Sequence, residues 1–187
     1  EETWGNNPVE SVLASASAAN VAGSDEGLQL SGKIGKKLPV NYAVSVTNGN
    51  SGTGSDSGKA KALAAKLSMA PINPLYLSAS YYDSGDLKIS NSEMSIAGLA
   101  SRPGTSTNWE RRLWEIDARY DFKKGKTLNP PAYSDSKAFI RLAYGQFSDR
   151  KIAAGTERSG DYGFAECTYN INKRLYTAGR LSFVDLD

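Results

Sequence analysis

The residues with the clearest potential for chemistry are two carboxylic acids, Glu115 and Asp117, in the stretch WEIDARYDF. On a β-strand, side chains two positions apart point to the same side. Two carboxyl groups about 5–9 Å apart can serve as acid and base in glycoside hydrolysis. Arg119 follows on the same side, however, and a neighbouring positive charge keeps carboxyl groups ionised. The spacing therefore favours a charged strand face over an acid–base pair, and we predict no enzymatic activity.

Other kinds of chemistry find little support in the composition. The 187 residues include no histidine and one cysteine, Cys167, which excludes histidine-based triads and metal sites and an intrachain disulfide. The loop GNSGTGSDSGK lacks the Lys–Ser/Thr ending of a phosphate-binding loop. Its one acidic residue, Asp56, supplies too few carboxylate ligands to bind calcium. We therefore expect no cofactor and no metal. A net charge of +2 also gives no reason to expect a nucleic-acid partner.

The stretch that contains the two acids alternates strictly, with the period of a β-strand that meets a different environment on each side. One side is apolar, and the other carries charges of both signs. The apolar side holds Trp114, Ile116, Ala118, Tyr120 and Phe122, and the charged side holds Glu115, Asp117, Arg119 and Asp121.

Similar alternation recurs along the chain between clusters of turn-forming residues. AKALAAKLSMA is ambiguous, because its Ala and Lys content favours a helix while its spacing also fits a strand. Taken as a strand, it brings the total to about nine. The sequence predicts that residues 1–187 form one all-β antiparallel domain or a segment of one, with a long flexible loop at 49–59. The other runs are DEGLQLSGKIGK, VNYAVSVTN, LYLSASYYD, EMSIAGLAS, KAFIRLAYGQFS, DYGFAECTYNI and LYTAGRLSFVD.

The charged sides of these strands must meet water, because an unpaired buried charge costs several kcal/mol. Two architectures satisfy this requirement. In a soluble β-sandwich the charged set is the outer surface, and in a membrane barrel it lines the lumen while the apolar set faces lipid. The charged set comprises Lys33, Lys66, Glu115, Asp117, Arg119, Asp121, Arg141, Glu166 and Arg180.

Two further patterns are those of a membrane barrel, although both also occur in soluble sheets. Aromatic residues stand on the apolar sides of the strands, where they could anchor the chain at the two membrane interfaces. The early strand connections alternate between short turns and long Gly/Ser/Asn loops, as expected when the two ends of a barrel differ. The candidate interface aromatics are Tyr42, Tyr81, Trp114, Tyr120 and Phe122. From the residues alone, the two architectures stay equally supported.

A family resemblance adds to this reading over residues 1–85. DEGLQLSGKIGKKLPVNYAVSVTNGN resembles the paired strands of outer-membrane porins of the phosphate-selective and related anion-porin type. The segment KAKALAAKLSMAPINPLYLSASYYDSG is similar to the hairpin that follows in that family. The matching residues are Asp25, Gly27, Leu28, Leu30 and Gly32, then Tyr42, Val44, Val46, Asn48 and Gly49.

The resemblance implies an up-and-down transmembrane barrel of about 16–18 strands that works as a trimeric diffusion channel. About nine strands would form half of such a barrel. The chain lacks the C-terminal aromatic of the family, so we expect either a non-native end or a departure from the pattern. The family's basic ladder does not map onto this sequence residue by residue, and its anion selectivity is not carried over.

The sequence therefore predicts a porin of the bacterial outer membrane that passes small hydrophilic solutes or ions without chemistry. Its expected partners are outer-membrane lipid, the solutes, and other copies in a homotrimer or a larger assembly. The lumen charges form either a basic track that attracts anions or a mixed lining with cross-strand ion pairs. The alternative function is a soluble β-sandwich that binds carbohydrate or protein.

Overall fold

The structure is a computed structural model that describes residues 27–47, 61–85, 87–90, 106–122, 137–151, 156–172 and 175–187. Within these ranges all regular secondary structure is β-strand. None of the described segments forms a helix long and apolar enough to cross a membrane. The predicted loop at 49–59 and the predicted strand EMSIAGLAS lie outside the described residues.

Nine strands form one antiparallel sheet, which confirms the predicted all-β, up-and-down architecture. Eight of them follow one another across the sheet in chain order, and β5 pairs with β6 beside this path. Among the described residues β1 and β9 are edge strands that do not pair with each other, so this sheet is open. The strands are β1 (Gly27–Ile34), β2 (Val40–Thr47), β3 (Ala62–Ile72), β4 (Leu75–Asp83), β5 (Leu87–Ser90), β6 (Ser106–Asp121), β7 (Ala138–Lys151), β8 (Thr156–Asn170) and β9 (Tyr176–Leu186).

The alanine-rich segment that was ambiguous in the sequence is strand β3. It pairs along its length with β2 and with β4, so both of its edges are hydrogen-bonded. Leu63 and Leu67 lie on one side of the strand, and Lys66 lies on the other. Pairing with two neighbours therefore outweighs the helical propensity of its alanines, because propensity is a weak preference that tertiary context overrides.

Strand β6 is longer than the sequence alternation predicts. It begins at Ser106 rather than near Trp114, and its first residues pair with β5, a strand that the sequence did not indicate. Trp109 is the only apolar residue of the stretch STNWERR, so the stretch lacks the apolar–polar alternation that indicates a strand. The extension depends on pairing with β5 and β7, which cannot be read from periodicity.

Two glycines allow aromatic rings to lie flat against the sheet. A Cβ on Gly145 would lie 2.5 Å from the ring of Tyr162, and a Cβ on Gly163 would lie 2.8 Å from the ring of Phe183. Any larger residue would therefore displace the ring that covers it. Such cross-strand glycine–aromatic pairs help to fix register in a curved sheet.

The buried interior lies on one side of the sheet, and it mixes apolar and charged groups. Leu113, Ala143, Phe147, Tyr162 and Phe164 form a packed cluster there. Beyond the cluster, the side chains of Arg111 and Asp149 are almost fully buried and meet in a two-pronged ion pair. The Nε–Oδ1 and Nη2–Oδ2 distances are 2.6 and 2.8 Å, which is the geometry of a strong charge-assisted contact.

We expect Arg111→Met to lower the free energy of unfolding by about 3–5 kcal/mol, because it leaves the buried Asp149 carboxylate without this partner. The exposed ion pair of Arg150 and Glu110 provides a matched control, and Arg150→Met should change stability by about 1 kcal/mol or less. Urea unfolding in detergent micelles, followed by circular dichroism, measures both. The double change R111M/D149L should recover much of the loss. Equal effects of R111M and R150M would contradict this assignment.

Candidate functional site

The sheet register separates the two predicted sets of side chains onto opposite faces. We call these the charged face, which carries the nine predicted charged residues, and the apolar face, which carries the five predicted aromatics. Across the central strands, Arg119 lies opposite Arg141, and Arg141 lies opposite Glu166. Tyr120 lies opposite Ile140 on the other face. The alternation read from the sequence is therefore continuous across the ladder.

Burial on the two faces is the reverse of that in a soluble protein. On the charged face the exposed fractions of Arg119 and Asp121 are only 4% and 3%. On the apolar face of the same central strands, Ile116 and Leu142 are 52% and 50% exposed. Large charged residues are rarely buried unless they are paired, and a contiguous exposed apolar surface marks a site of interaction.

One register row concentrates positive charge on the charged face. Arg119, Arg141, Glu166 and Arg180 occupy neighbouring strands at the same level. Arg180 forms an ion pair with Glu166, and Arg119 contacts Asp121 with an Nη2–Oδ1 distance of 2.9 Å. The three predicted arginines thus lie in one row, and acidic partners accompany them. Whether they form a basic track or part of a mixed lining stays a prediction.

Two phenylalanines support this row of arginines. The guanidinium carbon of Arg119 lies 4.0 Å from the ring centre of Phe139. The corresponding distances from Arg180 and Arg141 to the ring of Phe164 are 4.5 and 5.6 Å. Guanidinium groups stack favourably on aromatic faces, so the rings hold the arginines in place.

The sequence interpretation missed these two rings. The signal was present, because period two places both phenylalanines on the charged side of their strands, next to Arg141 and Glu166. A large apolar residue on the charged side of a strand therefore predicts an aromatic contact with a neighbouring cation.

The two neighbouring carboxylates of β6, Glu115 and Asp117, are held by different partners. The Ser78 hydroxyl donates a hydrogen bond to Asp117. Glu115 is buried, hydrogen-bonds with Tyr162, and has Lys66 and Arg141 among its charged neighbours. Both acids are thus built into the wall of the charged face. The absence of enzymatic activity stays a prediction.

Lys33 is the member of the predicted charged set that the structure keeps apart. It lies on edge strand β1, where its side chain is exposed and its register partner is Asn41. The row that contains Lys33 reaches Asp117 only on the fifth strand along the sheet path. Lys33 therefore does not join the arginine row.

The apolar face carries a continuous band without charged residues. Among the described residues, no Asp, Glu, Lys or Arg lies on this face within the limits of the band on any of the eight strands of the path. On β6 the band runs over nine residues, from Trp114 to Phe122. The other limits are Leu28–Ile34, Val40–Val46, Leu63–Met69, Leu75–Tyr81, Ala138–Tyr144, Gly163–Ile171 and Leu175–Phe183.

The edge of this band crosses the register rows diagonally. Leu63 on β3 belongs to the band and shares its row with Asp83, Arg112 and Ser148 on the following strands of the path. On β7 the band ends at Tyr144, four residues before Ser148 in the chain. If the edge of the band marks a plane, the strands must be tilted away from the normal to that plane.

Aromatic residues mark both boundaries of the band. Tyr81 and Trp114 stand side by side at one boundary, and Tyr120 and Phe122 stand at the other. All four are exposed. Tyr42 differs, because it lies in the middle of the band with its ring over Gly32. The structure thus places four of the five predicted interface aromatics at the boundaries.

Cys167 lies within the band, where its side chain is exposed. Within the described residues no group of three or more His, Cys, Asp and Glu side chains is placed to hold a metal ion.

Comparison with known proteins adds no relative: no protein-family model, no curated protein and no solved structure matches this chain.

Proposed function

We propose that this chain forms part of the wall of an outer-membrane porin, a passive channel for small hydrophilic solutes or ions. The observation that carries the proposal is the reversed burial of its two faces. Exposed aliphatic residues are stable against lipid, and charges require water or partners. A sheet with lipid on one side and a wet lumen on the other meets both requirements.

The geometry of the apolar band supports a membrane-spanning role. Spanning β-strands need about 9–11 residues and are inclined to the membrane normal. The band on β6 has nine residues, and its edge crosses the register rows as inclined strands require. Aromatic residues at both boundaries match the girdles of such barrels. We infer that the open sheet belongs to a closed barrel.

The solute path follows the charged face. No bond is made or broken there, and the charges act by setting the local electrostatic potential. The row with Arg119, Arg141 and Arg180 contains one acid, Glu166, and therefore carries excess positive charge. The acids of the neighbouring rows reduce that excess. The proposed channel therefore favours anions weakly, and a homotrimer or larger assembly stays part of the proposal.

The rival function is a soluble β-sandwich that binds carbohydrate or protein. A sandwich needs a second layer against the apolar face, and the described residues form a single sheet. The rival predicts a chain that folds in plain buffer and does not enter vesicles.

The single cysteine provides a direct test of which face meets lipid. In phosphatidylcholine vesicles, we expect a membrane-impermeant maleimide to label Cys167 several-fold less than in the denatured chain, because lipid covers the apolar face. The matched control is Ala178→Cys in a Cys167→Ser background. Ala178 is exposed on the charged face beside Gly179, the register partner of Cys167. It should be labelled with or without lipid.

Strong labelling of Cys167 in intact vesicles, or a chain that stays in the vesicle-free fraction, would refute the porin proposal. Sheet signal in circular dichroism that is complete in plain buffer would support the sandwich instead.

Charge reversal in the arginine row tests the solute path. We expect R141E/R180E to shift the reversal potential of the reconstituted channel, under a potassium chloride gradient, from a weak anion preference to a cation preference. The reason is that both changes alter the potential on the charged face. Arg150→Glu is the control, since Arg150 lies on the other face and outside the band. An equal shift for R150E would show that these arginines do not line the path.

A further inference from the structure

A pocket opens at one boundary of the apolar band. Its volume is about 300 Å³, and most of its lining residues lie on the apolar side of their strands. They combine aromatic residues at the edge of the band with cationic, amide and acidic groups just outside it. Those that carry the argument are Tyr81, Arg112, Trp114, Gln146 and Asp161.

The register explains why these groups meet. Trp114, Gln146 and Asp161 occupy one row across β6, β7 and β8. Arg112 occupies the next row, beyond the band, beside Asp83. Tyr81 closes the pocket on the side of β4. The pocket therefore spans the line at which the apolar surface gives way to charge.

Arg112 supplies an anion-binding group. Its side chain is 57% exposed, with Nε 3.0 Å from an Asp83 carboxylate oxygen and Nη2 in contact with Glu110. A guanidinium has five N–H donors, so these two contacts leave capacity for a further acceptor. Phosphate oxygens are the acceptors that its forked geometry suits well.

Trp114 and Asp161 supply a cation-binding pair. The indole N–H of Trp114 donates to Gln146 Oε1 at 3.2 Å, and its ring meets Tyr144 edge-on with 5.7 Å between centroids. These contacts fix the indole ring at the pocket. Asp161 lies two strands from Trp114, at roughly 10 Å by strand spacing. An aromatic face attracts an ammonium group, and a carboxylate across the pocket adds a second attraction to it.

We propose that this pocket binds the headgroup of a phospholipid that carries both a phosphate and a primary amine. Arg112 takes the phosphate, and Trp114 with Asp161 takes the ammonium. A lipid is favoured over a free headgroup because the pocket is continuous with the band, where acyl chains can lie along Ile116 and Tyr144. This inference rests on the proposed membrane location.

Native mass spectrometry of the detergent-purified chain tests the proposal. Phosphatidylethanolamine is the probe, and phosphatidylglycerol, which has a phosphate and no amine, is its counterpart. We expect phosphatidylethanolamine to be retained about tenfold more, the ratio expected for one charge-assisted contact. Asp161→Asn should remove this preference, and Arg112→Gln should weaken binding of both lipids. Trp114→Phe should retain more of the preference than Trp114→Leu.

Phe183→Leu is the matched control, because it alters an aromatic of the same band outside the pocket. It should leave the retention ratio unchanged. Circular dichroism of each variant separates lost binding from lost folding.

Equal retention of the two lipids by the unaltered chain would overturn the proposal. Equal displacement by free phosphoethanolamine and by phosphatidylethanolamine would also overturn it, since the pocket would then serve a soluble ligand. The labelling of Cys167 in vesicles distinguishes failure of the pocket proposal from failure of the proposed membrane location. Protected Cys167 without lipid preference refutes this pocket alone, and unprotected Cys167 refutes the membrane location on which it rests.

Discussion

The register of the antiparallel ladders is the constraint on which the rest of the structure depends. Because side chains alternate, a slip of one residue would move the charges of a strand to the apolar face and its aliphatic residues to the charged face. Arg119 opposite Arg141 and Tyr120 opposite Ile140 show the two sets kept apart across β6 and β7. The same separation extends from β1 to β9, so the sheet presents two continuous surfaces of opposite chemistry.

That register also creates a difficulty, since it sets two arginines directly opposite each other. Like charges in such a pair repel. The structure offsets the repulsion with the carboxylate of Asp121 for Arg119, and with the rings of Phe139 and Phe164 beneath the guanidinium groups. Local neutralisation explains how charged side chains can be more buried than aliphatic ones. It also moderates the potential that a passing ion would experience in the proposed channel.

Periodicity predicted the strands and the face of each side chain, because alternation is a local property of the chain. It left β3 ambiguous, and pairing with both neighbouring strands outweighs the helical propensity of its alanines. It failed at β5, where LKIS alternates over only four residues, and at the start of β6, where Trp109 is the one apolar residue before Leu113. It also could not find the Arg111–Asp149 pair, whose members are 38 positions apart and meet only through the register of β6 and β7. The pocket at the edge of the apolar band escaped prediction for the same reason.

The pairing order of the sheet has a consequence for how the chain folds. Each strand on the path pairs with its neighbour in sequence, apart from β4 and β6, between which β5 is inserted. Contacts between sequence neighbours require little loop closure, and hairpins form within microseconds. The chain can therefore grow as a succession of hairpins, each presenting an edge on which the next strand zips.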